Sequence, residues 1–181
     1  MILLTDESLL FYKLLFHLQY YVLINFEENK KYISKDEYFA LSISKKIKYR
    51  EKLWSNNEWI DEYVRNNPDN FDVDELKIIK KWENRVRDHF LLERSLKKYS
   101  IFISSKSKVY GVVGITEEID EIISPNEMPV YLETVLLPFR DKIIYDGLFS
   151  RYPISFGRGL RETFKETYKK AKEKRQIILE L

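Results

Sequence analysis

The chain reads as an α+β protein: a helical N-terminal half packed on a curved antiparallel sheet of about five strands, half-barrel-like and closed by a C-terminal helix. Three observations predict this. Helix-start signals and helical apolar spacing recur up to about residue 88. From Asp88 the pattern changes to short runs rich in β-branched and aromatic residues, separated by polar breaks. Finally, Leu160, Phe164, Tyr168 and Ala171 fall at i, i+4, i+8 and i+11, one face of a last helix. The expected organisation is a helical subdomain over 1–88 and an antiparallel meander with its terminal helix over 89–181, together one compact unit.

The first helix starts at Thr5, with Leu4 and Leu9 as a hydrophobic staple. Leu9 to Phe26 is nearly the length of a membrane span. Lys13, His17, Gln19 and Asn25 interrupt it, and Asp6 and Glu7 precede it where a signal peptide carries basic residues, so it reads as a soluble helix in the middle of the fold. Three further starts repeat one device: Ser34 with Glu37, Ser55 with Glu58, and Asp72 with Glu75 each pair an N-cap acceptor with a Glu that reaches back to the cap. Each has its staple, Ile33 with Tyr38, Trp54 with Trp59, and Phe71 with Leu76. The second helix is expected over Lys35 to Leu53 with Phe39, Ile43 and Ile47 inward; the third stops at Asn66-Asn67-Pro68; the fourth runs from Val73 to about Arg87.

Phe90 to Arg94, Tyr99 to Ser104 and Val109 to Ile115 are expected as consecutive antiparallel strands, with Gly111 and Gly114 introducing curvature. Thr116 to Pro129 is an acidic connection with one helical turn. A hairpin follows: Val130 to Leu137, ended by Pro138, a polar turn at Arg140-Asp141-Lys142, then Ile143 to Phe149 with a bulge at Asp146-Gly147. Tyr152 to Phe156 is extended, because Pro153 keeps Tyr152 out of the helical region. Gly157 and Gly159 let the chain bend into the last helix, and Ile177 to Leu181 forms a final strand.

Composition narrows the function classes. Lys and Arg number 31 against 29 Asp and Glu, a formal charge of +2, so any electrostatic function is local. The chain has no cysteine, which removes disulfides, thiolate metal sites and a Cys nucleophile and suits a reducing, cytoplasmic setting; the two histidines, His17 and His89, leave little for a His-based metal site. His17 reads as a core histidine and His89 as a cap or turn residue. No cofactor and no membrane partner are expected.

The candidate surface is the hairpin, bend and helix start, carrying Phe139, Arg140, Lys142, Tyr145, Asp146, Arg151, Tyr152, Arg158, Arg161 and Lys165. Its leading reading is a non-enzymatic binding or adaptor module for another protein or a second copy of the chain. The last helix and its entry concentrate cations beside strand aromatics, a combination that would also hold an RNA or DNA backbone and stack a base. The same pattern describes a solvated amphipathic helix. A third reading is a metal-dependent hydrolase or nuclease using Asp141 and Asp146 with Glu117, Glu118, Asp120 and Glu121, although no spacing ties these acids to one face. Gly157-Arg158-Gly159 before a helix suits turn geometry better than a phosphate loop, since the other glycines of such fingerprints are missing.

Six stretches carry a resemblance: LWSNNEWIDEYVRNNP, KIIKKWENRV, LKKYSIFIS, KVYGVVGIT, PVYLETVLLPFRDKIIYDGL and YPISFGRGLRETFKETYKKAK. Together they resemble a widespread set of bacterial and archaeal proteins that share a C-terminal LLPF-x3-IIYDGL…Y-x-ISFG-x-G module and have no established activity. The resemblance covers most of the chain. It implies one conserved module and transfers no function. Relatives typically turn the hairpin with Lys-Gly-Lys where this chain has Arg140-Asp141-Lys142, and the small zinc-binding segment that some of them carry has no counterpart here, for want of cysteine.

Overall fold

The computed structural model describes residues 1–26 and 33–181. They divide into two compact units, a helical one over Asp6–Glu83 and a sheet unit made of Met1–Thr5 and Asn84–Leu181.

The helical unit is built around α1 (Thr5–Phe26). This helix is apolar on nearly every side, and by length and composition alone it is long and apolar enough to cross a membrane. Here it is the packing centre of its unit. Phe11 meets Trp82 edge-on at 5.9 Å, Tyr21 meets Tyr63 at 5.3 Å, and Leu23 packs with Tyr38 and Tyr49. Its buried Gln19 accepts a hydrogen bond from the Tyr38 hydroxyl at 3.1 Å.

Around it stand α2 (Lys35–Phe39), α3 (Ile43–Trp54), α4 (Glu58–Asn66) and α5 (Val73–Lys81). Ser34 with Glu37 and Asp72 with Glu75 form the expected capping boxes. The third expected box does not form. Ser55 closes α3 in helical backbone, its hydroxyl donating to the Lys52 carbonyl, and Asn57 precedes α4 instead. A cap needs extended backbone, and at φ −71° and ψ −30° Ser55 lacks it.

The single helix expected over Lys35 to Leu53 is two helices, α2 and α3. Lys46 Nζ donates to the Phe39 carbonyl at 2.9 Å, satisfying one of the acceptors that the end of α2 leaves unpaired. The break also turns the inward face: Lys46, Tyr49, Arg50, Leu53 and Trp54 are buried, while Ile43 and Ile47 are exposed. Likewise, α5 ends at Lys81, and Trp82–Asn84 forms a 3-10 turn. Asn67 closes α4 in the left-handed conformation at φ 39°.

His17 gives this unit a pH dependence. Its ring lies between Phe39 and Phe71, at centroid distances of 5.0 and 5.3 Å, and Nδ1 donates to the Lys13 carbonyl at 2.7 Å. Burial lowers the imidazole pKa below its ordinary value, outweighing the hydrogen bond to Lys13 that acts the other way. The unfolded chain therefore binds this proton more tightly than the folded one. Its contribution is fully present above about pH 6.5, the ordinary histidine value, and is lost as the pH falls through the lower folded value. His17→Gln should flatten the acid side of a plot of Tm against pH between about 7.5 and 5. An unchanged slope would remove His17 as its cause.

The sheet unit has six strands: β1 (Val86–Ser95), β2 (Ser100–Ser104), β3 (Val109–Val113), β4 (Val130–Phe139), β5 (Lys142–Tyr145) and β6 (Ser150–Arg151). The short helices and the last one are α6 (Ile119–Ile122) and α7 (Arg158–Glu173). The strands run in the order β1-β2-β3-β5-β4-β6, and β1 also pairs with β4, so the pairings come back to their start. β3 and β5 share only the pairs Val112–Ile143 and Val113–Ile144, which leaves a strongly curved, partly open ring. The expectation of an antiparallel sheet needs one correction, because β3 and β5 are parallel. β1 is long enough to serve two neighbours, and between Leu92 and Arg94 its register with β2 slips, a bulge that bends it from one neighbour toward the other.

Curvature is visible in the inner face. Phe90 on β1 touches Tyr110 on β3 at 5.9 Å between ring centroids, although β2 lies between them. In a flat sheet, strands two places apart stand about 9–10 Å from each other.

Pro138 does not end β4, as the sequence suggested, but lies within it. The two-residue turn Arg140-Asp141 makes Phe139 and Lys142 the closing pair. Hydrogen bonds to β5 alternate from there, so the Pro138 nitrogen points to the other side of β4, where β1 has already ended at its Val86–Leu136 pair. Gly147, at φ 89°, marks the bend after β5 rather than a bulge inside a longer strand.

Both chain ends are fastened to β3. Leu3 N–H donates to the Gly114 carbonyl, and Gly114 N–H to the Met1 carbonyl, at 3.0 and 3.1 Å. Ile178 pairs with Val109 and Gly111 in the same way, a single parallel bridge where a final strand was expected. α7 packs on the outer face of β1, β2 and β3, where Tyr168 and Ala171 join Leu91, Ile101, Ile103 and Val109.

Candidate functional site

On the outer face not covered by the apolar side of α7, the β1–β4 register sets His89 opposite Glu133 and Leu91 opposite Tyr131. β6 then lies against the other edge of β4, and the Tyr152 N–H donates to the Tyr131 carbonyl at 3.0 Å. Three rings come together as a result. His89 stacks on Tyr131 with centroids 5.7 Å apart and planes 15° from parallel. Tyr152 lies 5.4 Å from His89 and 5.6 Å from Tyr131.

A hydrogen-bonded chain holds this cluster. Arg87 donates to Glu133 Oε1 through Nη2 at 2.9 Å and Nε at 3.1 Å. The Tyr152 hydroxyl reaches the other Glu133 oxygen at 3.4 Å and accepts from His89 Nε2 at 3.1 Å. Lost hydration and the Glu133 carboxylate push the Tyr152 phenol above its ordinary pKa, so it stays a neutral donor. The rings are thus fixed in orientation while Tyr152 remains 37% exposed.

Two clefts run on from Tyr152. One, of about 410 Å³, is lined by Arg151, Tyr152, Pro153, Ile154 and Pro129. It meets at Pro129 a second, of about 370 Å³, lined by Arg94, Ser95, Phe164, Arg161 and Lys165. A third, of about 240 Å³, lies on the other flank of α7 between His89, Tyr131, Thr163 and Thr167. The first two form one groove, aromatic at the Tyr152 end and basic at the α7 end. α7 supplies the basic end by its spacing: Arg158, Arg161, Lys165, Lys169 and Lys172 fall at i, i+3, i+7, i+11 and i+14 and are all exposed, a cationic stripe beside the apolar one. The acids lining the groove are matched by arginines, Glu93 by Arg94 and Glu127 by Arg151.

Comparison with family models, with curated proteins and with solved structures finds no match to this chain.

Of the residues singled out from sequence, the structure brings Arg151, Tyr152, Arg158, Arg161 and Lys165 to this groove and its margin. The other five lie elsewhere and serve the hairpin. Phe139 is wholly buried, Arg140 takes the turn at φ 55° with its guanidinium 5.9 Å from the Phe139 ring, and Lys142 pairs with Asp141 at 3.1 Å. Tyr145 stacks on Phe149 at 4.2 Å. Asp146 is buried, its N–H donating to the Val135 carbonyl at 3.0 Å.

Asp141 and Asp146 flank β5 at opposite ends, so they do not share a site. Glu118 and Glu121 form the capping box of α6, and Glu118 also pairs with the Met1 ammonium at 3.2 Å. Among the described residues no three His, Asp or Glu side chains come together. The chain turns into α7 at Gly157, but neither Gly157 nor Gly159 needs the freedom of glycine there. Gly157 is extended, at φ −67° and ψ 164°, Gly159 lies in the first turn of α7, and an added methyl would meet nothing within 4 Å at either.

His89, Tyr131 and Glu133 were missed. His89 is a mid-strand residue, not a cap. A signal was present in the sequence: Arg87 and His89, like Tyr131 and Glu133, are alternate polar or aromatic positions, the mark of a strand face turned to solvent.

Proposed function

We propose that this chain is a non-enzymatic binding module that takes its ligand in the groove running from Tyr152 past Pro129 to Arg161 and Lys165. The observation that carries this reading is the His89–Tyr131–Tyr152 cluster, in which Tyr152 lines the groove, stays partly exposed and is backed by the other two rings. Pre-set aromatic faces lose little freedom on binding, which is why such residues serve as contact anchors.

The test is a thermal-shift panel of oligonucleotides, soluble oligosaccharides and peptides against wild type and Tyr152→Ser. At least one class should raise the wild-type Tm and leave the variant unmoved. If none does, or both proteins respond alike, the groove is not the binding site.

A further inference from the structure

Building on that reading, we infer that the ligand is a single-stranded nucleic acid, with a base stacked at the Tyr152 end of the groove and its phosphates running along the cationic stripe of α7. Three features set this class apart. The exposed ring of Tyr152 is backed by His89 and Tyr131, so a planar base can add to a cluster that is already ordered. The Tyr152 cleft and the cleft of Arg161 and Lys165 share Pro129 as a wall, an end-to-end arrangement that suits an extended polymer rather than a compact ligand.

The charge is also arranged for a backbone. Acids at the groove wall are paired with arginines, whereas Arg158, Arg161, Lys165, Lys169 and Lys172 repeat along an exposed helix face; among the described residues Lys165 pairs with Glu162 at 3.2 Å and Arg161 Nε donates to the Phe156 carbonyl at 3.0 Å. A linear row of cations matches a linear row of phosphates. A double helix fits less well, since its bases are already stacked on each other and offer no free face to Tyr152. The strand would lie on the β4–β6 side of the ring, because α7 occupies the outer face of β2 and β3.

The experiment is fluorescence anisotropy of labelled single-stranded RNA and DNA of about twelve nucleotides, a length within the usual span of such sites, titrated with the whole chain at two salt concentrations. Binding is expected at low salt and should weaken as salt rises. Tyr152→Ser should weaken it about tenfold or more, while Tyr152→Phe, which keeps the ring, stays within about twofold. The pair Arg161→Gln and Lys165→Gln should flatten the plot of log affinity against log salt by about 1.4 units, as two phosphate contacts at about 0.7 each are lost. Arg161 and Lys165 are exposed, so the glutamine pair should keep a Tm close to wild type, and Tyr152→Phe, which loses only the hydroxyl bonds to His89 and Glu133, is the control for Tyr152→Ser.

Absence of binding at low salt, equal affinity for a duplex, displacement by heparin with no effect of Tyr152→Ser, or an oligosaccharide as the only ligand in the thermal-shift panel would each overturn the inference. In the last case the groove remains a binding site for another class. Failure of every class in that panel would remove the binding-module reading as well.

Discussion

Phe90→Ala is expected to lower the free energy of unfolding by about 3–5 kcal/mol, the usual range for emptying a fully buried phenylalanine site. Phe90 has no exposed surface, and its ring meets Phe102 at 6.0 Å and Tyr110 at 5.9 Å. These three residues come from three successive strands and share the inner face of the curved sheet. The flanking strands hold the gap open, so the cavity cannot collapse cheaply. Urea unfolding of the intact chain measures the loss, with Phe90→Leu as the milder companion. A loss below about 1 kcal/mol would mean that the inner face is not packed as described. The groove depends on the same strand, because His89, the preceding residue, points to the opposite face and backs Tyr152.

The second large effect is expected at Gly114. A methyl group there would stand 2.2 Å from the Glu117 carbonyl oxygen and 3.2 Å from Ile2 Cγ2. The first of these is backbone and cannot rotate away. Gly114→Ala must therefore shift the start of the β3-to-α6 connection or release the N-terminal residues that bond to Gly114, at a cost of about 3 kcal/mol. Gly111→Ala is the informative comparison: its methyl would meet Leu179 Cδ2 at 2.6 Å and the Tyr99 ring at 2.9 Å, both side chains. That change should cost less and loosen the C-terminal bridge first. Gly159→Ala should stabilise, by roughly 0.5–1 kcal/mol, since alanine is the better helix former and the space is open. If the three glycines respond alike, close approach is not what decides them.

These outcomes show why parts of the chain were legible from sequence and others were not. Capping boxes are local: Ser34 with Glu37 and Asp72 with Glu75 need only four residues and could be read directly. Ser55 with Glu58 has the same letters, but packing kept Ser55 in the last turn of α3. Lys46 is a similar case, since a lysine is ordinarily assigned to solvent. Its Nζ lies 4.2 Å from the centre of the Phe16 ring and bonds the Phe39 carbonyl, partners that exist only once α1 and α2 are in place.

What the sequence by itself determined is the α+β class, the helical first half, most of the strands and the apolar stripe of α7, because periodicity and end signals are properties of neighbouring residues. Only the tertiary structure decided the parallel pairing of β3 with β5, the ring-like return of β4 to β1, and the meeting of His89, Tyr131 and Tyr152. Those contacts join residues tens of positions apart, and their geometry follows from strand register. A shift of one residue in that register would turn every side chain to the other face.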